Sequence, residues 1–231
     1  MHLSIIIPVL NEADALADTL LAARAACADL GAQAVEIIVV DGGSSDTTRT
    51  VAAPLAERVI VSARGRARQM NAGAAMARGE VLLFLHADTL LPVGAGMAIM
   101  TALGIATRRG ACWGRFDVRI AGPAAMLTVV AWCMNQRSRA TGIATGDQAI
   151  FVRRSVFDAI GGFADLVLME DIDLSRRLKR HAAPCCLRLR VLTSGRRWES
   201  RGVWRTIFLM WWLRLRYWLG AAPQDLLRAY R

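Results

Sequence analysis

Short apolar runs alternate with helical spacings through the first half of the chain. Leu3–Ile7 is a β-branched-rich run ended by Pro8. Glu12–Leu30 spaces Leu16, Leu20 and Leu30 among alanines before Gly31, and this predicts a helix with its stop. Val35–Val40 is a second apolar run, Asp46–Ala56 a short helix, and Arg58–Val61 a third strand. Gly65–Ala77 predicts a helix closed by Gly79, and Val81–Leu85 a fourth strand. Strands of this length separated by helices build βαβ units and a parallel sheet.

The second half is less regular. Ala111–Ile120, Gln148–Val152 and Cys185–Val191 read as strands, and Pro123–Arg137, Arg154–Ile160 and Glu170–His181 as helices. Val203–Leu219 is an amphipathic helix with Trp204, Trp211 and Trp218 seven apart, a spacing shared by Phe208 and Leu215. No repeat or low-complexity linker interrupts the chain. The expected organisation is one α/β domain over residues 1–202 and a helical tail over 203–231. Within the domain, 1–110 forms one half and 111–202 the other.

Two segments invite comparison with membrane spans. Thr89–Thr107 carries no charge, but Pro92, Gly94, Gly96 and Gly104 interrupt it, which favours a buried helix. Val203–Ala222 carries Arg205, Arg214 and Arg216, and three arginines make a crossing costly. The opening residues have no basic region or cleavage site and read as a first strand.

Composition narrows the picture further. The chain has 231 residues, 55% of them apolar, which argues against disorder. Its net charge is +10, and all of its 29 basic residues except Lys179 are arginines. Arginine suits phosphate recognition, and the charge fits nucleotide phosphates, an anionic membrane or nucleic acid. Five cysteines without a C-x-x-C pair argue against a disulfide framework or zinc site and fit a reducing compartment.

Polar clusters follow each of the first four strands: Asn11-Glu12, Asp41 to Asp46, Arg64-Gly65-Arg66, and His86-Ala87-Asp88. Ligands of open parallel sheets bind outside the carboxyl ends of the strands, so the four clusters converge on one crevice. Each also has an ordinary explanation. Asp41 opens a Gly-Gly-Ser-Ser turn, and either serves that turn or accepts hydrogen bonds from a base or ribose. Glu12 suits a helix first turn, and Asp46 an N-cap. Arg64, Arg66 and Arg68 either grip phosphate at a helix start or form a solvated surface. The spacing is neither G-x-G-x-x-G nor a Walker A loop. His86 and Asp88 are two metal-competent side chains one residue apart; the alternative is a polar strand end.

A second landmark is Gly161-Gly162-Phe163 followed by Glu170-Asp171. Carboxylates at a helix start are common, but a partly buried one serves as general base. Asp171 is the expected base and Glu170 its orienting or substrate-binding neighbour.

Taken in order, these motifs resemble glycosyltransferase family 2 over about residues 3–200. The matching pieces are Ser4 to Glu12, Val39 to Asp46 and Asn71-Ala72-Gly73, with Phe84 to Asp88 as a D-x-D motif in which His86 replaces the first Asp. Gly161-Gly162-Phe163, Glu170-Asp171 and Arg196-Arg197-Trp198 complete the set. A small bacterial subgroup labelled arsenosugar-biosynthesis-type glycosyltransferases shows a similar combination.

The resemblance implies a GT-A, Rossmann-like nucleotide-diphospho-sugar transferase fold, with a mostly parallel central sheet, helices on both faces and a C-terminal amphipathic helix. It implies transfer of a sugar from a nucleoside-diphosphate sugar to an acceptor hydroxyl, with inversion. Pro8, Asn11, Glu12, Asp41, Gly43, Arg66, Asn71, His86, Ala87, Asp88, Arg197 and Trp198 are the expected donor-binding residues. His86 and Asp88 are the expected ligands of Mn²⁺ or Mg²⁺. Gly146, Asp147 and Gln148 are the expected acceptor-side residues.

The acceptor is expected to be a small molecule or lipid-linked, with no nucleic acid partner, and the protein cytoplasmic or peripheral on the inner membrane face. For residues 203–222, contact with a bilayer and packing on the domain or a second subunit stand as alternatives, and a homodimer is open. Two further functions compete: a sugar-phosphate nucleotidyltransferase, whose Gly-rich signature is missing, and a non-catalytic basic module binding membrane or nucleic acid.

Overall fold

The computed structural model of the chain describes residues 2–104 and 111–230, with the side chains at 32, 197, 200 and 201 outside the description. The first half runs β1 (Leu3–Val9), α1 (Ala13–Ala26), β2 (Val35–Asp41), α2 (Thr48–Ala52), β3 (Arg58–Val61), α3 (Arg66–Met76) and β4 (Val81–Phe84). There follow β5 (Thr89–Leu90), α4 (Ala95–Ala102), β6 (Trp113–Ile120), α5 (Met126–Thr141), β7 (Ile150–Arg153), α6 (Arg154–Ala159), α7 (Glu170–Leu178) and β8 (Cys185–Thr193). The chain closes with α8 (Arg196–Arg201), α9 (Val203–Trp218) and α10 (Pro223–Tyr230).

One sheet of eight strands runs in the order β3-β2-β1-β4-β7-β6-β8-β5. The β3, β2, β1 and β4 strands are parallel, as the βαβ pattern predicts. On the far side β7 is antiparallel to both β4 and β6, β8 is parallel to β6, and β5 is antiparallel to β8. The fold is α/β, with a mixed, mostly parallel sheet.

Strand periodicity sorts the apolar residues onto two faces. Leu3, Ile5, Ile7 and Val9 of β1 face a core with Leu16 and Leu20 of α1, Ile99 of α4 and Leu127 of α5. Ile6 of the same strand faces Ala67, Met70 and Ala74 of α3, with Phe157 of α6 and Leu174 of α7. Both faces are therefore covered, which explains why β1 and β2 lack polar alternation. The α3 helix comes close because Gly73 has no side chain: a Cβ there would lie 2.5 Å from Ile6 Cγ2.

Several elements differ from the sequence expectation. The helix expected to reach Leu30 ends at Ala26, and a 3₁₀ turn covers Ala28–Leu30. The uncharged stretch from Thr89 begins as β5, where the Thr89 hydroxyl bonds that of Thr193 at 3.0 Å. Its helix starts only after Gly94, at φ +77°, and ends at Ala102. Residues 105–107 of that expected helix lie outside the described residues. Among the described residues no helix is long and apolar enough to cross a membrane.

The tail packs on the domain along one stripe. Leu213 of α9 and Leu226 of α10 form a small core with Met169, flanked by Leu168, Ile172 and Tyr217. The opposite face of α9 is open, with Trp204, Trp211 and Trp218 exposed at 60%, 67% and 75%.

Candidate active site

Backbone hydrogen bonds stitch together the loops after β1 and β2. Asn11, at φ +54°, donates its amide to Ser44 Oγ at 2.9 Å and accepts the Ser45 amide on Oδ1 at 2.9 Å. The Glu12 amide donates to Thr48 Oγ1 at 2.9 Å. Asp46 serves the turn, accepting the Thr48 amide at 3.0 Å. Gln69 of α3 donates to the carbonyls of Val9 and Val40, both at 2.8 Å, and so pins the carboxyl ends of β1 and β2 side by side.

Asp41 takes the turn role that the sequence leaves open. It is fully buried, and its carboxylate accepts the amides of Gly43 and Ser44 and the Ser44 hydroxyl. It shapes the loop from behind. Gly43 presents the open face, at φ +92° with clear space where a Cβ would stand.

His86 and Asp88 point to different partners. His86 Nδ1 lies 3.2 Å from Asp147 Oδ1, and its Nε2 edge lies against Gly146, where a Cβ would come within 2.3 Å. Asp88 Oδ2 lies 3.7 Å from Arg196, whose same nitrogen bonds Glu12 Oε2 at 3.0 Å. Arg196 thus joins a residue after β1 to one after β4. That hydrogen bond to Glu12, with the charges of Glu12 and Asp88, outweighs burial and raises the Arg196 pKa. Beside this trio opens a cleft of about 360 Å³ lined by Asp14, Asp18, Asp88 and Arg196.

The loop before β7 and the start of α7 meet around His86. Gly146 donates its amide to Asp171 Oδ2 at 2.8 Å, and Ile172 donates to Asp171 Oδ1 at 2.7 Å. A narrow cavity here is lined by Phe84, His86, Gly146, Phe163, Glu170 and Asp171. Met169, just before the two carboxylates, sits at φ +68°, a left-handed conformation that costs energy for a side-chain-bearing residue. Burial pushes the Glu170 carboxyl above the usual carboxylate range, and the neighbouring Asp171 charge adds to this. Arg66 faces the same group: desolvation works against its charge, but Glu170, Tyr230, Asp147 and Asp171 outweigh it and raise its pKa.

Several of the expected ligand residues have partners within the fold. Asn71 spends both ends of its amide on the Phe163 backbone, donating at 2.8 Å and accepting at 2.9 Å. It fixes the Gly161–Phe163 turn to α3. Gln148 is buried and holds Thr145 and Asn135. Pro8 is buried within β1, and Ala87 is buried with its carbonyl bonded to Thr19. Trp198 packs against the larger core. The side chain of Arg197 lies outside the described residues. Arg68, one of the three loop arginines, forms a bidentate pair with Asp165 at 2.8 Å.

Sequence reading missed Gln69, Arg137 and Arg214. A buried glutamine capping two strands leaves no motif. Arg137 ends an expected helix, and Arg214 counts in the sequence only as a charge against membrane crossing. Both turn inward here.

The fold is α/β with a GT-A-like architecture. Residues 4–116 match the model of the Glycosyl transferase family 2. Among curated proteins, the undecaprenyl-phosphate 4-deoxy-4-formamido-L-arabinose transferase of Pseudomonas aeruginosa is 29% identical over 178 residues, covering 68% of this chain and 48% of that protein. A PGL/p-HBAD biosynthesis glycosyltransferase of Mycobacterium bovis is 44% identical over 96 residues, covering 38% of this chain and 36% of its own. The chain spans about half the length, or less, of these curated relatives.

Solved structures share the fold. The mannosyltransferase PcManGT of Pyrobaculum calidifontis, in complex with GDP-Man and Mn²⁺, superimposes with a TM-score of 0.65 at 20% identity, covering 99% of this chain and 68% of that one. S. aureus TarS 1-349 in complex with UDP gives 0.65 at 17% identity, covering 84% and 60%.

Proposed function

We propose that the chain transfers a sugar from a nucleoside-diphosphate sugar to an acceptor, with inversion and with a divalent metal. One observation carries this reading. Polar side chains from distant strand ends gather in two clusters after β4: Glu12 and Arg196 with Asp88, and Gly146 and Asp171 with His86, two residues earlier in the chain.

The donor set fits a metal brought by the substrate. Among the described residues no group of three His, Cys, Asp or Glu side chains could hold an ion. Asp88 offers one partly exposed carboxylate, and Mg²⁺ is commonly held by one or two carboxylates plus substrate phosphates. His86 is engaged with Asp147 and Gly146, so Asp88 is the proposed protein ligand. The metal, when bound, neutralises charge developing on the departing diphosphate.

The chain's own residues do the rest. Glu12 and Gly43 border the nucleoside, and Asp41 and Gln69 hold that loop in shape. Asp171, oriented by the Gly146 amide, takes the proton from an acceptor hydroxyl, and that oxygen attacks the anomeric carbon opposite the diphosphate. Arg66 and Arg196 supply fixed positive charge near the leaving group.

The exposed Trp204, Trp211 and Trp218 stripe, beside Arg205 and Arg216, supports docking on an anionic bilayer. This fits an acceptor hydroxyl carried on a lipid, and the Pseudomonas relative is itself named for a lipid, undecaprenyl phosphate. A division at residue 202 and the arsenosugar-type subgroup remain parts of this proposal.

A thermal-shift panel of nucleoside diphosphates and nucleotide sugars, with Mg²⁺ and Mn²⁺, tests the reading. A ligand of the native state raises the midpoint with the logarithm of its concentration over Kd. At least one diphosphate is expected to do so in the presence of metal. No shift across the panel contradicts the reading.

A further inference from the structure

Arg196 is fixed beside the loop after β4 by its backbone. The Ser194 amide donates to the Asp88 carbonyl at 3.1 Å, where β5 and β8 pair Thr89 with Thr193. Gly195 then passes so close to Ala121 that a Cβ would stand 2.0 Å from the Ala121 carbonyl oxygen. The Arg196 amide closes the turn on Ser194 Oγ at 3.2 Å. These contacts hold the first residue of α8 against Asp88.

The side chain uses that placement. Its Nη2 lies 3.0 Å from Glu12 Oε2 and 3.7 Å from Asp88 Oδ2. Arg68 shows a purely structural pairing: its Nε and Nη2 each bond one oxygen of Asp165 at 2.8 Å. Arg196 instead divides one nitrogen between two carboxylates from different loops. Its side chain is 56% exposed, and those of Glu12 and Asp88 are 29% exposed, so the pairing is weak and exchangeable. The cleft of about 360 Å³ alongside gives the guanidinium room to turn.

Asp88 is the carboxylate proposed above as metal ligand, and a cation paired with it opposes a second one. A guanidinium and a divalent ion sharing one carboxylate repel each other. A diphosphate removes the conflict, because its oxygens accept hydrogen bonds from the guanidinium as well as binding metal. We infer that Arg196 competes with divalent metal for Asp88, so that the site admits the metal together with a diphosphate and disfavours it alone. This rests on the transferase reading above and sets how its donor site is loaded. Glu12, on the same nitrogen, keeps the guanidinium at the crevice when Asp88 is released.

Electron paramagnetic resonance of free Mn²⁺, titrated with the full chain, tests the inference without turnover. In the absence of nucleotide, Arg196→Gln is expected to bind Mn²⁺ about two- to fivefold tighter than wild type, the range that an exposed ion pair supports. Arg196→Ala carries the same expectation and serves if the glutamine variant does not fold. The gain is expected to vanish when Asp88→Asn is combined with Arg196→Gln, as a shared carboxylate requires. With a nucleoside diphosphate present, wild type is expected to bind Mn²⁺ at least as tightly as Arg196→Gln, since the guanidinium then supports the diphosphate.

No gain in Mn²⁺ affinity on removing Arg196 overturns the inference. So does a gain that survives Asp88→Asn, which places the metal on other carboxylates. An equal gain with and without the diphosphate also overturns it, because Arg196 then repels metal without regard to the nucleotide. Failure of wild type to bind any diphosphate is a different result, and removes the transferase reading itself.

Discussion

Gly146 donates its backbone amide to Asp171 Oδ2 at 2.8 Å, tying the loop before β7 to the first turn of α7. With the Ile172 amide on its other oxygen, Asp171 is held in one orientation. A general base in that position contributes about 10²–10⁴-fold to rate. Asp171→Asn is therefore expected to lose turnover in that range while diphosphate affinity persists. Transfer near the wild-type rate removes Asp171 from its role.

The same loop predicts a steric effect. A Cβ at Gly146 would stand 2.3 Å from His86 Nε2 and 2.5 Å from its Cε1. Gly146→Ala must push the imidazole away from Asp147. Overpacking of this kind costs about 1–3 kcal/mol. Urea unfolding should show a loss of that size, with a fall in turnover. An unchanged midpoint would mean the ring moves freely.

Asn71 gives the opposite signature. Asn71→Ala leaves the Phe163 amide and carbonyl without their partners, at a cost of about 1–3 kcal/mol per unmet group. Its diphosphate Kd is expected to stay within about twofold, since a discarded direct contact costs much more. A stable variant that no longer binds donor restores Asn71 to the donor site.

Glu170 makes stability depend on pH. Its folded-state pKa lies above the unfolded value, so the native state binds its proton more tightly. That contribution is full below the unfolded carboxylate pKa and is lost as pH rises through the folded one. Glu170→Gln should weaken the fall in melting temperature from about pH 4.5 upward, the model-peptide range for Glu being about 4.3. Parallel wild-type and variant profiles contradict the assignment.

The parallel half of the sheet was legible because its strands are buried on both faces and read as unbroken apolar runs. Two-residue β5 was not, since Thr89-Leu90 acquires strand character only by pairing with Leu192 and Thr193. In the proposed site, the sequence singles out Glu12, Asp88 and Asp171 through their places after apolar runs. It could not separate Asp41 or Asn71, which hold the loops, from residues that face the crevice, because that depends on side-chain direction. Arg196 and Arg214 come from the end of the chain, and only folding brings them to residues near Glu12 and Asp171.

The central claim is that Asp88 helps bind a metal-bearing nucleoside diphosphate at the strand ends. Calorimetric titration of the preferred diphosphate, with and without Mn²⁺, into wild type and Asp88→Ala measures it directly. Binding that tightens markedly with Mn²⁺ in wild type, and loses that gain in the variant, is the predicted result. Metal-independent binding that Asp88→Ala leaves unchanged contradicts the claim.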